Sequence, residues 1–348
     1  MTSPRQFMVA SFFGALLEAC VHAPVAIVAP LVDAPLVAKI VHQGVFACFP
    51  EGTKFLDGKP ATCEPSAVVN AAGQLLAAND KPVPGEDRSP LMRLVVDESG
   101  QVVDVRYEVN ASVANAQKFE AATTTADGAW VLLSTAFDRI DEDSNALDAY
   151  NTLLAWPTDD MSKLHVVMAQ TDGGVTSSKG LRSALRSALA TSRFPNGPPY
   201  FKIEGLAALP GNLLLFGVRE QGERFDDFSY TADIVVTRHR VEDNRMVLDG
   251  GFTKIYRFSP ADLVGTDVKD HLGLSSIAYD AKRDLVWLLT SFEGDGGLGA
   301  YLWTLPRHAL GDGASCEMPE IVVDKTGQPL RFAHKAEGMD FLSPDVLF

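Results

Sequence analysis

The sequence predicts an all-β fold of β-propeller type, because one unit recurs along the chain, each copy carries several strand-like runs, and helical patterning is nearly absent. The unit is an acidic residue, small or apolar residues, a turn, and then an apolar strand that ends in polar groups. Copies start at Glu64-Pro65-Ser66-Ala67-Val68, Glu120-Ala121-Ala122-Thr123, Glu204-Gly205-Leu206-Ala207 and Glu337-Gly338-Met339-Asp340. A degenerate copy, Leu274-Ser275-Ser276-Ile277-Ala278, lacks the acid.

Each start is followed by a turn and an apolar strand, predicted at Gln74 to Asn79, Ala129 to Thr135, Asn212 to Val218 and Asp284 to Thr290. A fifth begins at Val346 and is cut short. Further β-rich runs at Leu91 to Val96, Val102 to Val109, Ile234 to Arg240 and Lys254 to Phe258 bring the count to about four strands per unit. Four-stranded units at recurring intervals are the pattern of propeller blades. Five blades are visible, with six as the alternative. The last is incomplete, so the apolar runs Val25 to Leu31 and Leu36 to Phe46 are expected to close the ring by supplying its missing strands. One stretch departs from the β pattern. Ser178 to Thr191 places Leu181, Leu185 and Leu189 at helical period, with Arg182, Arg186 and Arg193 nearby, and predicts an inserted amphipathic helix on the propeller face near the third unit. An anion-binding lid is the alternative for it.

Composition bounds the class. The 348 residues are 46% hydrophobic and 22% charged, which argues against disorder and against a multi-span membrane protein. A formal charge of −15 repels a phosphate backbone, so nucleic acid is not an expected partner. At the N-terminus Arg5 precedes an apolar stretch from Phe7 to Ala19, shorter than the roughly 20 residues of a spanning helix. Residues 1–23 therefore read as a secretory or lipoprotein signal, with 24–348 as one propeller domain. The expected location is periplasmic, secreted or anchored to the outer membrane, with Cys20 as the lipid-bearing residue in the last case. A buried N-terminal helix is the alternative. No Cys/His spacing of a zinc site occurs among Cys20, Cys48, Cys63 and Cys316. Cys48 and Cys63 either close a short disulfide loop or remain buried thiols.

Three copies carry a lysine two residues before the acid: Lys118 with Glu120, Lys202 with Glu204, and Lys335 with Glu337. Residues two apart on a strand share a side, and innermost propeller strands line the channel, so these side chains are expected to converge on the axis. Crowded carboxylates repel unless neutralised. Glu64, Glu120, Glu204 and Glu337 are therefore candidate ligands for Ca²⁺ or another divalent cation, a hard ion that takes oxygen donors. The competing reading is that each lysine neutralises its own glutamate and the groups serve as structural glue. Asn79, Asp80, Lys81, Arg219, Glu220 and His334 lie beside the same strands, and Arg219 is suited to gripping a phosphate or carboxylate. The acidic run from Asp138 to Asp148 lacks the glycine and terminal glutamate of a calcium loop, so a solvated loop is expected there. No G-x-S-x-G, H-E-x-x-H or phosphate-binding glycine loop is present. His271 and His334 are the candidate general bases. A metal-dependent hydrolase of a phosphoester or lactone follows, with Lys118, Lys202, Lys335 and Arg219 stabilising negative charge on a small anionic or ester substrate. A non-catalytic exported propeller that binds a ligand or protein is the rival.

The stretches CEPSAVVNAAGQLLAANDK, KFEAATTTADGAWVLLSTAFD, KIEGLAALPGNLLLFGVRE, GLSSIAYDAKRDLVWLLTS and KAEGMDF, in this order, resemble bacterial propeller proteins related to the esterase-like activity of phytase domain. The resemblance runs from about residue 60 to the C-terminus. It implies a propeller and an exported protein, and bears on activity only loosely, since fold does not fix function.

Overall fold

A computed structural model describes residues 35–98, 100–141, 143–260, 272–294, 297–311 and 317–348. The chain divides into units 1–34 and Pro35–Phe348, and every described residue belongs to the second. The expected signal, Cys20, the run Val25 to Leu31, Glu142, His271 and Cys316 lie outside the described residues.

The fold is all-β, with four small sheets set in a ring in the manner of a propeller. The first sheet is β1 (Pro65–Ala71), β2 (Gln74–Asn79), β3 (Leu91–Val96) and β4 (Val102–Tyr107), in that order and antiparallel. After the short helix α1 (Ala111–Asn115), the second follows as β5 (Phe119–Thr124), β6 (Trp130–Thr135), β7 (Leu153–Pro157) and β8 (His165–Val166). A two-stranded ribbon, β9 (Gln170–Asp172) and β10 (Val175–Ser177), and the helix α2 (Leu181–Ala188) intervene. The third sheet holds β11 (Tyr200–Leu209), β12 (Leu213–Arg224) and β13 (Asp227–Glu242), with β14 (Arg245–Leu248) and β15 (Thr253–Phe258) both on β13. The fourth holds β16 (Gly273–Asp280), β17 (Leu285–Gly294) and β18 (Gly297–Pro306), with β19 (Glu320–Ile321) and β20 (Arg331–Phe332) both on β18. Tight turns with both residues left-handed join β1 to β2 at Ala72-Gly73 and β13 to β14 at Asp243-Asn244, the twist that antiparallel hairpins favour.

Four of the five repeat starts, those at Glu64, Glu120, Glu204 and Leu274, thus fall at or in the first strand of a sheet, and β1, β5, β11 and β16 succeed one another as neighbours around the ring. Side chains alternate along the strands, so each sheet feeds two separate cores. Leu214, Phe216 and Val218 of β12 pack with Leu132 and Leu153 of the second sheet, whereas Leu215 packs with Leu274, Ile277 and Leu288 of the fourth. Burying a side chain of this size contributes about 1.5–3 kcal/mol, which makes the interfaces between sheets the main source of cohesion. The predicted helix forms and is amphipathic as expected. Leu181, Leu185 and Leu189 enter the core between the second and third sheets. Its arginines are staples: Arg182 stacks on the Phe201 ring at 4.4 Å and donates to the carbonyls of Phe137 and Pro199, and Arg186 donates to the carbonyl of Gly197.

The C-terminal hairpin, β21 (Phe341–Ser343) with β22 (Val346–Leu347), lies between the fourth and first sheets. Met339, Phe341 and Leu347 pack with Trp287 and Leu302 of the fourth, while Leu342 meets the core of the first. The Asp340 carboxylate accepts from the Asn70 backbone amide at 2.7 Å, and the Asn70 side chain donates to the carbonyl of Phe341 at 2.9 Å. Burial pushes the Asp340 carboxyl up to about 6. Of the run Leu36 to Phe46 only the start is paired: Val37 bridges Val323 in parallel, and residues 39–46 form no strand. Cys48 and Cys63 form a disulfide, with Cα atoms 5.4 Å apart.

Candidate functional site at the propeller axis

The four first strands share a defect at the same place. In each, one residue is inserted against the partner strand: Ser66 between Pro65 and Ala67, Glu120 between Phe119 and Ala121, Glu204 between Ile203 and Gly205, and Ser275 between Leu274 and Ser276. Such a bulge bends the strand and re-aims the inserted side chain, which is why bulges gather at functional sites. All four inserted residues are buried. The bulge also restarts the alternation, so Phe201 and Ile203 before it and Leu206 and Ala208 after it reach the same core.

This register corrects the expected equivalence of the four glutamates. Glu120 and Glu204 share the bulge position, but in the first sheet Ser66 holds it, and Glu64 stands two residues earlier, where the second and third sheets carry Lys118 and Lys202. In the fourth sheet the two positions are Gly273 and Ser275. Glu337 precedes β21 in irregular backbone rather than opening a strand, and reaches the ring by accepting from Ser66 Oγ at 2.7 Å.

The charges form a chain of alternating sign. Lys202 Nζ bonds its own Glu204 and lies 3.1 Å from Glu120 Oε1 on the neighbouring sheet. Lys118 does not act mainly on Glu120, 3.8 Å away. Its backbone is left-handed, and its amine bonds Asp138 at 2.5 Å, with Arg139 3.5 Å from the same carboxylate. Lys335 pairs with Glu337 at 2.6 Å and lies 3.5 Å from Glu293. Lys81 bridges Glu64 at 2.7 Å and Asp80 at 2.8 Å. Asn79 fixes that corner by accepting from the Glu64 amide and donating to the carbonyls of Thr62 and Lys81. Arg219 stands in for the missing charges of the fourth sheet: it donates to Ser275 Oγ at 2.5 Å and Ser291 Oγ at 3.0 Å and lies 3.3 Å from Glu204 Oε2 and 3.7 Å from Glu220 Oε1. Tyr200 donates to Glu220 at 2.5 Å.

The cluster is layered. Side-chain exposure is 1% for Glu120 and Glu204 and 3% for Arg219, but 11% for Lys202, 16% for Lys118, 29% for Lys335 and 43% for Lys81. Glu120 and Glu204 make the floor, and the accessible surface is shared by the lysines with Glu337, 17% exposed, and Glu64, 47% exposed. The two floor glutamates also differ in protonation. Burial, only partly offset by Lys202, pushes Glu120 up to about 8. For Glu204 burial acts the same way, but Arg219 and Lys202 together outweigh it and hold the carboxyl below its ordinary value. The carboxylates in turn raise Lys202 and Lys335 against the effect of burial.

Of the sequence-predicted residues, Glu64, Glu120, Glu204, Glu337, Lys118, Lys202, Lys335 and Arg219 belong to this chain of charges, as do Asp80, Lys81 and Glu220. His334 is exposed, and its Nε2 lies 3.3 Å from the Gln43 amide nitrogen. Sequence reasoning missed Ser66 and Ser275, whose role depends on register, and took Asp138 for part of a solvated loop. Elsewhere in that loop Asp141 accepts from Ser144 Oγ at 2.5 Å, and Asp148 pairs with Lys179 at 2.6 Å.

The donor set does not fit a bound divalent cation as arranged. Each of the four glutamates already has a lysine amine against it, and among the described residues no group of three or more acidic, histidine or cysteine side chains is disposed to hold a metal. No protein-family profile matches the chain, and no curated protein matches it. No helix among the described residues is long and apolar enough to cross a membrane.

Proposed function

We propose that the chain hydrolyses small esters, of phosphoester or lactone type, at the axial cluster. One observation carries this reading: Glu120 and Glu204 occupy equivalent bulges and share Lys202, yet their surroundings drive their protonation in opposite directions. Paired carboxyls with separated titration are the arrangement that general acid and base catalysis needs, and perturbed groups gather at functional sites. Glu204 takes a proton from water as the water oxygen bonds to the ester centre, and Glu120 gives its proton to the departing oxygen as that bond breaks. Lys202 covers both carboxyls, so the substrate reaches them by displacing its amine. Lys118, Lys335 and Arg219 then balance the charge that develops.

The fold, the location and the family relation belong to the same proposal. Residues 337–347 act as the inner half of a fifth blade, a reading supported by their packing on both the fourth and first sheets. Export is supported by the Cys48–Cys63 disulfide, a bond that persists in oxidising compartments. Kinship with the phytase-like propellers rests on the sequence stretches given above.

The test is turnover of aryl phosphates, aryl esters and lactones by the full chain, with and without chelator. Expected is hydrolysis that survives chelation and falls about 100-fold or more in Glu120→Gln and Glu204→Gln. Hydrolysis lost on chelation and restored by calcium would reinstate a metal-dependent mechanism. The complete pairing of lysines with carboxylates favours a second reading, a non-catalytic propeller that binds a ligand or partner. It prevails if no ester is turned over and the variants lose only stability.

A further inference from the structure

The mouth of the axial site is not uniform around the ring. The position two residues before each bulge is Glu64, Lys118, Lys202 and Gly273 in the four sheets. At Gly273 a side chain is excluded by close approach: a Cβ there would lie 2.8 Å from Arg219 Cγ and 2.8 Å from Tyr230 Cδ1. The space that a lysine fills in the second and third sheets is thus taken, in the fourth, by the Arg219 stem and the Tyr230 ring.

That ring is the inner end of an aromatic row. Tyr230 lies under the Arg219 guanidinium, 5.1 Å from ring centroid to carbon, and meets Phe228 edge-on at 5.3 Å. Phe228 continues to Tyr200 at 5.7 Å, and Tyr200 is itself bonded to Glu220 of the axial chain. Tyr230 and Phe228 are half-buried, so part of each remains open to solvent, and in the sheet Tyr230 pairs with Glu220, which pairs in turn with Lys202. Tyr230 and Phe228 stand on the part of the β12–β13 hairpin that runs on past Arg219 and Glu220 to the turn at Arg224–Asp227, and Tyr200 opens the adjoining β11.

We propose, building on the anion-facing site above, that the ligand carries a planar ring as well as an anionic group. The ring lies against Tyr230 and Phe228 on the fourth-sheet side, and the anion meets Lys118, Lys202 and Lys335 across the axis. Aromatic contact rewards a flat, polarisable surface, and the adjoining guanidinium favours the same geometry. Tyr230 and Phe228 are then specificity-determining residues.

Calorimetric binding of phenyl phosphate, methyl phosphate and inorganic phosphate to the full chain carrying Glu120→Gln, which slows cleavage of the two esters, tests this. Phenyl phosphate is expected to bind about tenfold more tightly than methyl phosphate. In Tyr230→Leu and in Phe228→Ala that preference falls to about threefold or less while inorganic phosphate is held as before, and Tyr230→Phe keeps the preference because it keeps the ring. Equal binding of phenyl and methyl phosphate where both aromatic residues are intact, or a preference unchanged in both aromatic variants, overturns the aromatic subsite and leaves the anion site standing. Absence of binding by all three phosphates overturns both.

Discussion

The bulge of the first strand is used in two ways around the ring. In the second and third sheets it carries glutamate, and in the first and fourth it carries serine. The glutamates bring carboxyls to the axis, of which Glu204 is held ionised by Lys202 and Arg219. The serines bring only a donor and an acceptor, and they recruit charge from elsewhere: Ser66 from Glu337 near the C-terminus, and Ser275 from Arg219 on the third sheet. One half of the hub supplies charge, and the other half ties separate parts of the chain together.

Substitutions at the four bulges sharpen this contrast. The largest effect is expected at Glu204→Gln, which leaves Lys202 and Arg219 buried with a partner missing. Loss of one member of a buried charge group costs about 3–5 kcal/mol, read as a lower urea midpoint. Ser275→Ala removes a hydrogen bond from a buried guanidinium, and a loss of about 1.5–3 kcal/mol is expected from the same denaturation curves. Ser66→Ala is expected to cost about 1.5 kcal/mol and to raise amide exchange in residues 337–347, which it helps to hold on the first sheet. If Ser66→Ala leaves exchange there unchanged, the recruiting role of the serine half fails.

Glu120→Gln is expected to change stability least at pH 6, by about 1 kcal/mol or less, because it replaces a carboxyl that burial already keeps protonated. Its effect is on pH dependence. A carboxyl raised from 4.5 to about 8 in the folded chain contributes stability that is fully present below 4.5 and is lost as pH rises through about 8. The wild type should therefore lose stability across that window more steeply than Glu120→Gln, by thermal denaturation at a series of pH values. Parallel pH profiles would contradict it.

Much of the fold was legible because a strand in a ring of sheets announces itself locally. The bounds of β2 and β3 match their predicted runs, since both lie between turn residues and bury apolar side chains. Ends of strands were less legible: β12 runs past Val218 to Arg224, and β13 begins at Asp227, well before Ile234, because a long hairpin holds them together. At the site, Glu120, Lys202 and Glu204 could be read from spacing because the second and third sheets keep lysine and glutamate two apart. Glu64 could not be placed, since a bulge adds a residue that only pairing with β2 reveals. Tyr230 was hidden for another reason: nothing in the sequence of β13 says that Gly273, over forty residues later, will make room for its ring.

The central claim is that two equivalent bulge carboxyls hold opposite protonation states in one buried site. Carbon-detected NMR titration of the glutamate side chains, compared between wild type and Glu120→Gln, reads this directly. The account predicts one carboxyl with a midpoint near 8 that vanishes in the variant, and a second buried carboxyl, Glu204, that stays ionised below the usual range. Glutamates that all titrate together near their ordinary value of 4.5 would contradict it.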